Sequence, residues 1–309
     1  MDALADVLKT IRLHTSTYFC SDFNTHWGMD IPHGDNGLFH VIVEGECWVK
    51  IENRDDPIHM KAGDIVAFPT GGAHWISDRP DSKRLTAEAV ASKILKGDNP
   101  FYNADEATAT TQTLLCGAFE YDSSISHPFL RELPCFIHIQ AGKSPELQWL
   151  KELTSVLSKE SKQPSPGSSV VIDRLTEVLF IQILRLHVQE EPAKLGYISA
   201  LSDSKIGPAL NQIHAEENAE WSVETLASHV ALSRSAFSDR FMKLIGEPPK
   251  TYLINWRMQK AKSKLENTEI GMYDIAESAG YSSESAFSKA FKQYFTRTPG
   301  SYRKRLALE

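Results

Sequence analysis

Two nearly identical nine-residue segments, SRSAFSDRF at 233–241 and SESAFSKAF at 283–291, lie fifty residues apart near the C-terminus. A chain that repeats a pattern at this distance is expected to build the same small unit twice. In the second copy Ile275, Ala276 and Ala279 fall at helical spacing. Gly280 follows as a left-handed helix stop, and Ser282 or Ser283 can cap a new helix. On that helix Phe287 and Phe291 stand at i and i+4 and share one buried face. In the first copy Leu226, Ala227 and Val230 form the first helix, Ser233 caps the second, and Phe237 and Phe241 repeat the aromatic pair. From Ala236 onward the offset stays at 50 (Phe237/Phe287, Pro249/Pro299, Tyr252/Tyr302), and the first copy is one residue shorter in its turn. A short helix, a tight turn and a capped second helix make a helix-turn-helix. Ala227 and Ala276 are small enough to let the two helices of each unit approach.

Between the copies, KTYLINWRMQKAKSKLE (250–266) reads as a helix with a narrow apolar side at Leu253 and Ala261 and basic residues such as Arg257, Lys260 and Lys264 around it. A stiff helix there sets the spacing of two recognition helices. Two such helices enter successive major grooves when about 34 Å apart. Charge supports a polyanionic partner. The chain carries a net charge of −7, yet 229–305 holds 14 basic against 7 acidic residues, while 1–204 holds 18 against 28. An acidic body with a basic end suggests that the end meets nucleic acid. The competing reading, a ligand-free helical repeat, is disfavoured because solenoids stack three or more repeats.

Residues 205–309 resemble the DNA-binding domain of AraC/XylS-type transcription regulators. The matching stretches are GEPPKTYLINWRMQKA (246–261), IAESAGYSSESAFSKAFK (275–292) and TPGSYR (298–303). The resemblance implies that Arg234, Ser235, Ser238 and Asp239 of the first unit face bases, with Ser283, Glu284, Ser285 and Lys289 in the second. Asp239 departs from the family pattern, which is basic there. It would repel phosphate and at best accept from a cytosine amine. Arg240 beside it is the candidate to supply the displaced cation.

The N-terminal part reads differently. LFHVIVEGECWVKI (38–51) is strand, turn, strand, and HMKAGDIVAFPTGGAHWI (59–76) continues with a Gly63-Asp64 turn and a loop from Pro69 to Gly72. TLLCGAFEY (113–121) and CFIHIQ (135–140) are further strands, and SISHPFLRELP (124–134) is expected as a loop and short helix closing a barrel. Short strands with Gly-rich turns point to a small β-barrel or jelly roll. The spacing Gly63-x5-Pro69-x-Gly71-x2-His74 matches the second cupin motif, and FHVIVEGECWV resembles the end of the first. In metal-binding cupins His74 would be one of four ligands. The other positions fall on Leu38 and on Pro32 with Gly34, or on Ile31 with His33, so at least two ligands are missing. His40 and His33 lie near enough to substitute, but one imidazole makes no tight site, and no metal or other cofactor is expected. His74 is then a hydrogen-bonded core histidine or a contact to an organic ligand. His40, His74, Trp27 and Trp48 are the ligand-binding candidates, with Trp75 a further aromatic; large aromatics also simply fill cores.

ELQWLKELTSVLSKE (146–160) places Leu147, Leu150, Leu153 or Thr154, and Leu157 on one stripe, and SKQPSPGSS (161–169) breaks it. VVIDRLTEVLFIQILRLHVQ (170–189) is apolar around much of its surface and must be covered, either within the chain or by a second copy. The four cysteines show no CxxC pair, which fits reduced thiols rather than a disulfide framework. No apolar run approaches a membrane span of about 18 residues, and no secretion signal is visible, so a cytoplasmic location is expected.

The expected architecture is α+β and multidomain. A cupin-like β-barrel (jelly roll) for ligand sensing covers 1–145, a helical dimerisation region 146–190, a linker 191–204, and an all-α tandem helix-turn-helix domain 205–309, expected to bind duplex DNA alone. Double-stranded promoter DNA, a second copy of the chain and a small-molecule effector are the expected partners, with RNA polymerase added for an activator. The alternative is a cupin metalloenzyme fused to a DNA-binding domain. It would need a full ligand set or an acid/base pair in the barrel, and no nucleophile-elbow, phosphate-loop or dinucleotide pattern is present.

Overall fold

A computed structural model describes residues 3–11, 13–52, 54–106, 112–121, 127–141, 147–190, 196–215, 221–267 and 270–306. The chain forms two compact units. The sheet unit comprises Leu13–Tyr121 and Leu133–Glu191, and the helical unit comprises Met1–Arg12, Asp122–Glu132 and Pro192–Glu309. The helices between 147 and 190 group with the strands, and Met1–Arg12 and Asp122–Glu132 group with the C-terminal helices.

The sheet unit contains β1 (His14–Phe23), β2 (Gly28–Ile31), β3 (Gly37–Glu44), β4 (Glu46–Ile51), β5 (Ile58–Lys61), β6 (Ile65–Phe68), β7 (His74–Ser77), β8 (Leu85–Thr86), β9 (Gln112–Glu120) and β10 (Ile137–Ile139). One sheet has the order β1-β9-β3-β6-β10 and the other β5-β4-β7-β2-β8. The turns follow from glycine: Gly45 and Gly63 take φ of 82° and 92°, where a side chain would be strained. Alternation along the strands creates two cores. Phe19, Met29, Ile42, Val49, Val66, Phe68, Ile76, Leu114 and Cys116 from both sheets share one. The opposite face of the first sheet carries Phe39 stacked on Phe119, whose ring lies 4.2 Å from that of Phe180.

Phe180 belongs to α5 (Ser168–Glu190), which lies with α4 (Leu147–Lys162) against β1. Leu150, Leu153 and Leu157 of α4 and Leu179, Ile183 and Leu184 of α5 are buried, so part of both helices' apolar surface is covered within the chain. Val170, Val171 and Val178 remain 61%, 41% and 36% exposed, and Trp149 and Val156 of α4 are also exposed. A further helix, α2 (Ala87–Leu95), inserts Val90 into the core between the sheets.

The helical unit holds α1 (Ala3–Thr10), α3 (Pro128–Arg131), α6 (Tyr197–Ser202), α7 (Ile206–Ala215), α8 (Val223–His229), α9 (Arg234–Ile245), α10 (Pro249–Asn267), α11 (Met272–Ser278), α12 (Glu284–Phe295) and α13 (Pro299–Leu306). The helix expected to close the barrel, α3, lies in this unit; the residues before it, 122–126, and part of the expected linker, 191–195, are outside the described set. The rest of that linker is the helix α6, which buries Tyr197 and Ala200.

A polar cluster ties α1, α3, α6, α7 and α10 together. Asp6 Oδ2 lies 3.0 Å from His214 Nδ1, and Lys260 Nζ donates to Asp6 Oδ1 at 2.9 Å. The Tyr252 hydroxyl lies 2.8 Å from His214 Nε2, 3.2 Å from His127 Nε2 and 3.3 Å from the Tyr197 hydroxyl. Burial raises the Asp6 pKa, but hydrogen bonds from His214 and Lys260 outweigh it, so the carboxyl sits below its ordinary range. A buried carboxylate with two partners is satisfied.

Candidate nucleic-acid interface and ligand cavity

The two helix-turn-helix units are built alike. Ser233 accepts from the Ala236 amide at 3.2 Å, and Ser283 from the Ala286 amide at 3.2 Å. Each cap satisfies a free amide at a helix start, so Ser283 takes the capping role. The turns are closed by Leu232 N–H donating to Ala227 O and Tyr281 N–H donating to Ala276 O, both 2.9 Å. Phe237 and Phe241 are buried in the first unit and Phe287 and Phe291 in the second, with centroid separations of 5.6 and 5.5 Å. Burying these faces turns the rest of each helix outward. Arg234, Ser235 and Asp239 are exposed on α9 with Ser238 half-buried, and Glu284, Ser285 and Lys289 are exposed on α12.

The cations differ in their freedom. Arg234 Nη1 pairs with Glu224 Oε1 at 2.9 Å, both exposed, a contact of little energy that nucleic acid can displace. Arg240 is held by both carboxylate oxygens of Asp203, with contacts of 3.0, 3.1 and 2.6 Å. Sequence reasoning missed that pairing because the partners are 37 residues apart. Lys243, Lys250, Lys289, Lys292 and Arg297 are exposed and have no carboxylate partner among the described residues. Four of these five were not singled out from the sequence; their signal was the local charge excess.

Helix α10 is continuous through both units. It places Tyr252 against Phe241 in the first core and Met258, Ala261 and Leu265 in the second. Its buried side is wider than the narrow stripe expected: even Lys262 is buried, 3.9 Å from Glu266.

In the sheet unit a cavity of about 550 Å³ lies among β1, β2, β3, β9 and α2. Phe19, Met29, Ile31, Leu38, Ala87 and Ala91 form its walls, and His40 and Cys116 also line it. The strand bulge between Thr17 and Phe19 places Tyr18 at the same cavity. His40 and Cys116 continue into a hydrogen-bonded chain. His40 Nδ1 lies 2.9 Å from Cys116 Sγ, His40 Nε2 lies 2.8 Å from His74 Nε2, and His74 Nδ1 lies 2.7 Å from the Gly72 carbonyl. A carbonyl only accepts, so His74 Nδ1 carries a proton and, in the neutral ring, Nε2 is an acceptor. His40 therefore donates through Nε2, and Cys116 S–H donates to His40 Nδ1. Burial pushes the His74 pKa down to about 4 and that of His40 well below normal, and raises the Cys116 thiol, so all three groups are neutral.

This donor set does not suit the metal of the cupin motif. The two Nε2 atoms address each other, His40 Nδ1 addresses a thiol, and no cluster of three or more His, Cys, Asp or Glu converges among the described residues. His33 is exposed. The tryptophans do not line the cavity. Trp27 is buried in the core, donates to Gln112 and packs 5.1 Å from Phe23. Trp48 stacks on His59 at 4.5 Å, and Trp75 lies under Arg84 at 4.7 Å. The cavity wall formed by α2 and β2 was invisible in the sequence because neither element carries a motif. Among the described residues no helix is long and apolar enough to cross a membrane.

A cupin family model matches residues 2–189, and a helix-turn-helix domain model matches 226–305. The chain is 30% identical to a putative AraC-like transcription regulator of Streptomyces antibioticus, over 98% of this chain and 99% of that one. It is 29% identical to the HTH-type transcriptional regulator AlkR of Acinetobacter baylyi, also over 98% and 99% of the two chains. Among solved structures, an AraC-type transcriptional regulator from Chromobacterium violaceum is 27% identical over 35% of this chain and 96% of its own, with a TM-score of 0.33.

Proposed function

The chain belongs to the AraC-like family of transcription regulators, with a cupin N-terminal domain and a helix-turn-helix C-terminal domain, and on that premise we propose how its parts divide the work. Helices α9 and α12 each enter a major-groove segment of promoter DNA. Arg234, Ser235, Ser238 and Asp239 face bases from α9, and Glu284, Ser285 and Lys289 from α12. Lys243, Lys250, Lys292 and Arg297 meet phosphates, and Arg240 holds α9 in place through Asp203 rather than reaching the backbone. The observation that carries this reading is the matched pair of serine-capped helices that bury the same phenylalanines and expose polar faces at the same register.

The cavity between the sheets binds a small effector that sets the activity, without a catalytic step. A second copy of the chain covers the exposed valines of α5, giving a homodimer. The protein works in the cytoplasm, where the DNA is, and an activating role would add RNA polymerase as a partner. The test is selection from a random duplex pool with the full chain, at two salt concentrations. The expected result is a two-part site whose affinity falls steeply with salt, since phosphate contacts dominate binding. No enriched sequence, or an affinity indifferent to salt, contradicts it.

A further inference from the structure

The cavity's chemistry restricts what the effector can be; this rests on the reading that the cavity is the effector site. Its size, about 550 Å³, falls within the range of small-molecule pockets. Its walls are aliphatic and aromatic, contributed by Phe19, Met29, Ile31 and Leu38 from the strands and Ala87 and Ala91 from α2. Tyr18 and Leu95 line it as well and are 39% and 72% exposed, so the mouth is apolar too. The charged residues that line it, Glu88 of α2 and Lys96 just after it, are exposed and of opposite sign, so they stand at the rim with Ser92 rather than in the buried interior.

The buried polar groups are already occupied with one another. His40 and Cys116 are 5% and 3% exposed. The proton order derived above runs from the Cys116 thiol through His40 and His74 to the Gly72 carbonyl. Every N–H and S–H in that chain is spent. No buried cation or anion faces the cavity, so an ionised ligand would lose its hydration with no counter-charge to replace it. The thiol is held in its protonated form by burial and by its bond to His40, which favours reversible binding over covalent capture.

We infer that this cavity takes an uncharged, predominantly apolar small molecule, with α2 as one wall and the Cys116–His40–His74 chain as a closed polar floor that admits no ion.

The experiment uses the full chain and the neutral fluorophore N-phenyl-1-naphthylamine, displaced by 1-decanol, decanoate or decylammonium at pH 7.5. The expected result is one fluorophore bound per chain, displaced by decanol at a concentration at least about tenfold below that of either ion, as expected for burying an uncompensated charge. Ala91→Trp, which fills the cavity from α2, should abolish fluorophore binding, and Ala91→Ser should retain it; both should keep the wild-type thermal transition. Equal or tighter binding of decanoate would overturn the inference and assign the site to Lys96. Unchanged binding in Ala91→Trp would also overturn it. Specific DNA binding measured on the same preparations separates the two claims. DNA binding without fluorophore uptake refutes the cavity chemistry alone, whereas fluorophore uptake without DNA binding refutes the regulator reading and leaves the cavity chemistry standing.

Discussion

Ala231 and Gly280 occupy the same place in the two helix-turn-helix turns, and both take a left-handed backbone, with φ of 53° and 82°. Glycine adopts that conformation freely, whereas a residue with a Cβ pays about 1 kcal/mol or more. Ala231→Gly is therefore expected to stabilise the helical unit by about 1 kcal/mol in denaturant unfolding. Gly280→Ala should destabilise it, because its new Cβ would also sit 3.0 Å from Arg257 Nη1. A second single-residue effect belongs to His74. Its pKa is about 4 in the fold, against about 6.5 unfolded. A depressed histidine leaves the unfolded chain as the better proton binder between those values. Stability is thus complete above about pH 6.5 and is lost as pH falls towards 4; at pH 5 the loss should be about 2 kcal/mol from this residue. Urea unfolding of the sheet unit at pH 7 and pH 5 measures it. A flat profile would mean that His74 is accessible to solvent protons in the native state.

Among the elements, β3, β4, β5 and β6 were legible because apolar runs there stop at Gly45 and Gly63, and the two helix-turn-helix units because they repeat. Strand β1 was not. Its HTSTYFCSDF sequence looks polar, but Thr15 donates to the Asp173 carbonyl of α5 and Thr17 lies 3.3 Å from Thr176. Those threonines are partnered across an interface between segments about 160 residues apart, which no local pattern reveals. Helix α1 was hidden for a related reason. It carries Asp6, and a carboxylate in a short N-terminal helix reads as exposed until His214 and Lys260 are placed beside it. Asp6→Ala should therefore destabilise the helical unit by about 1–3 kcal/mol, the cost of leaving the buried His214 without its hydrogen-bond partner. Asp6→Asn should lose less, since it keeps an acceptor. Equal thermal transitions for wild type and Asp6→Ala would show that α1 adds nothing to that core.

At the scale of the whole molecule, residues 1–12 and 122–132 belong to the helical unit although the chain between them forms strands of the sheet unit. The polypeptide thus passes from one unit to the other several times, and strand β9, which lines the cavity through Cys116, is followed directly by the segment that carries His127 into the helical unit. Two hydrogen-bond partners of the 205–309 stretch, Asp6 for His214 and His127 for Tyr252, come from outside it. The central claim remains that one chain reads DNA twice, through α9 and α12 held by α10. It is tested most directly by selecting binding sites from a random pool with wild type, Arg234→Ala and Lys289→Ala. The account predicts that each variant loses its preference, or its affinity by about 1–3 kcal/mol, at a different segment, the two segments lying about 10 base pairs apart. Loss of preference at the same base pairs in both variants would contradict it.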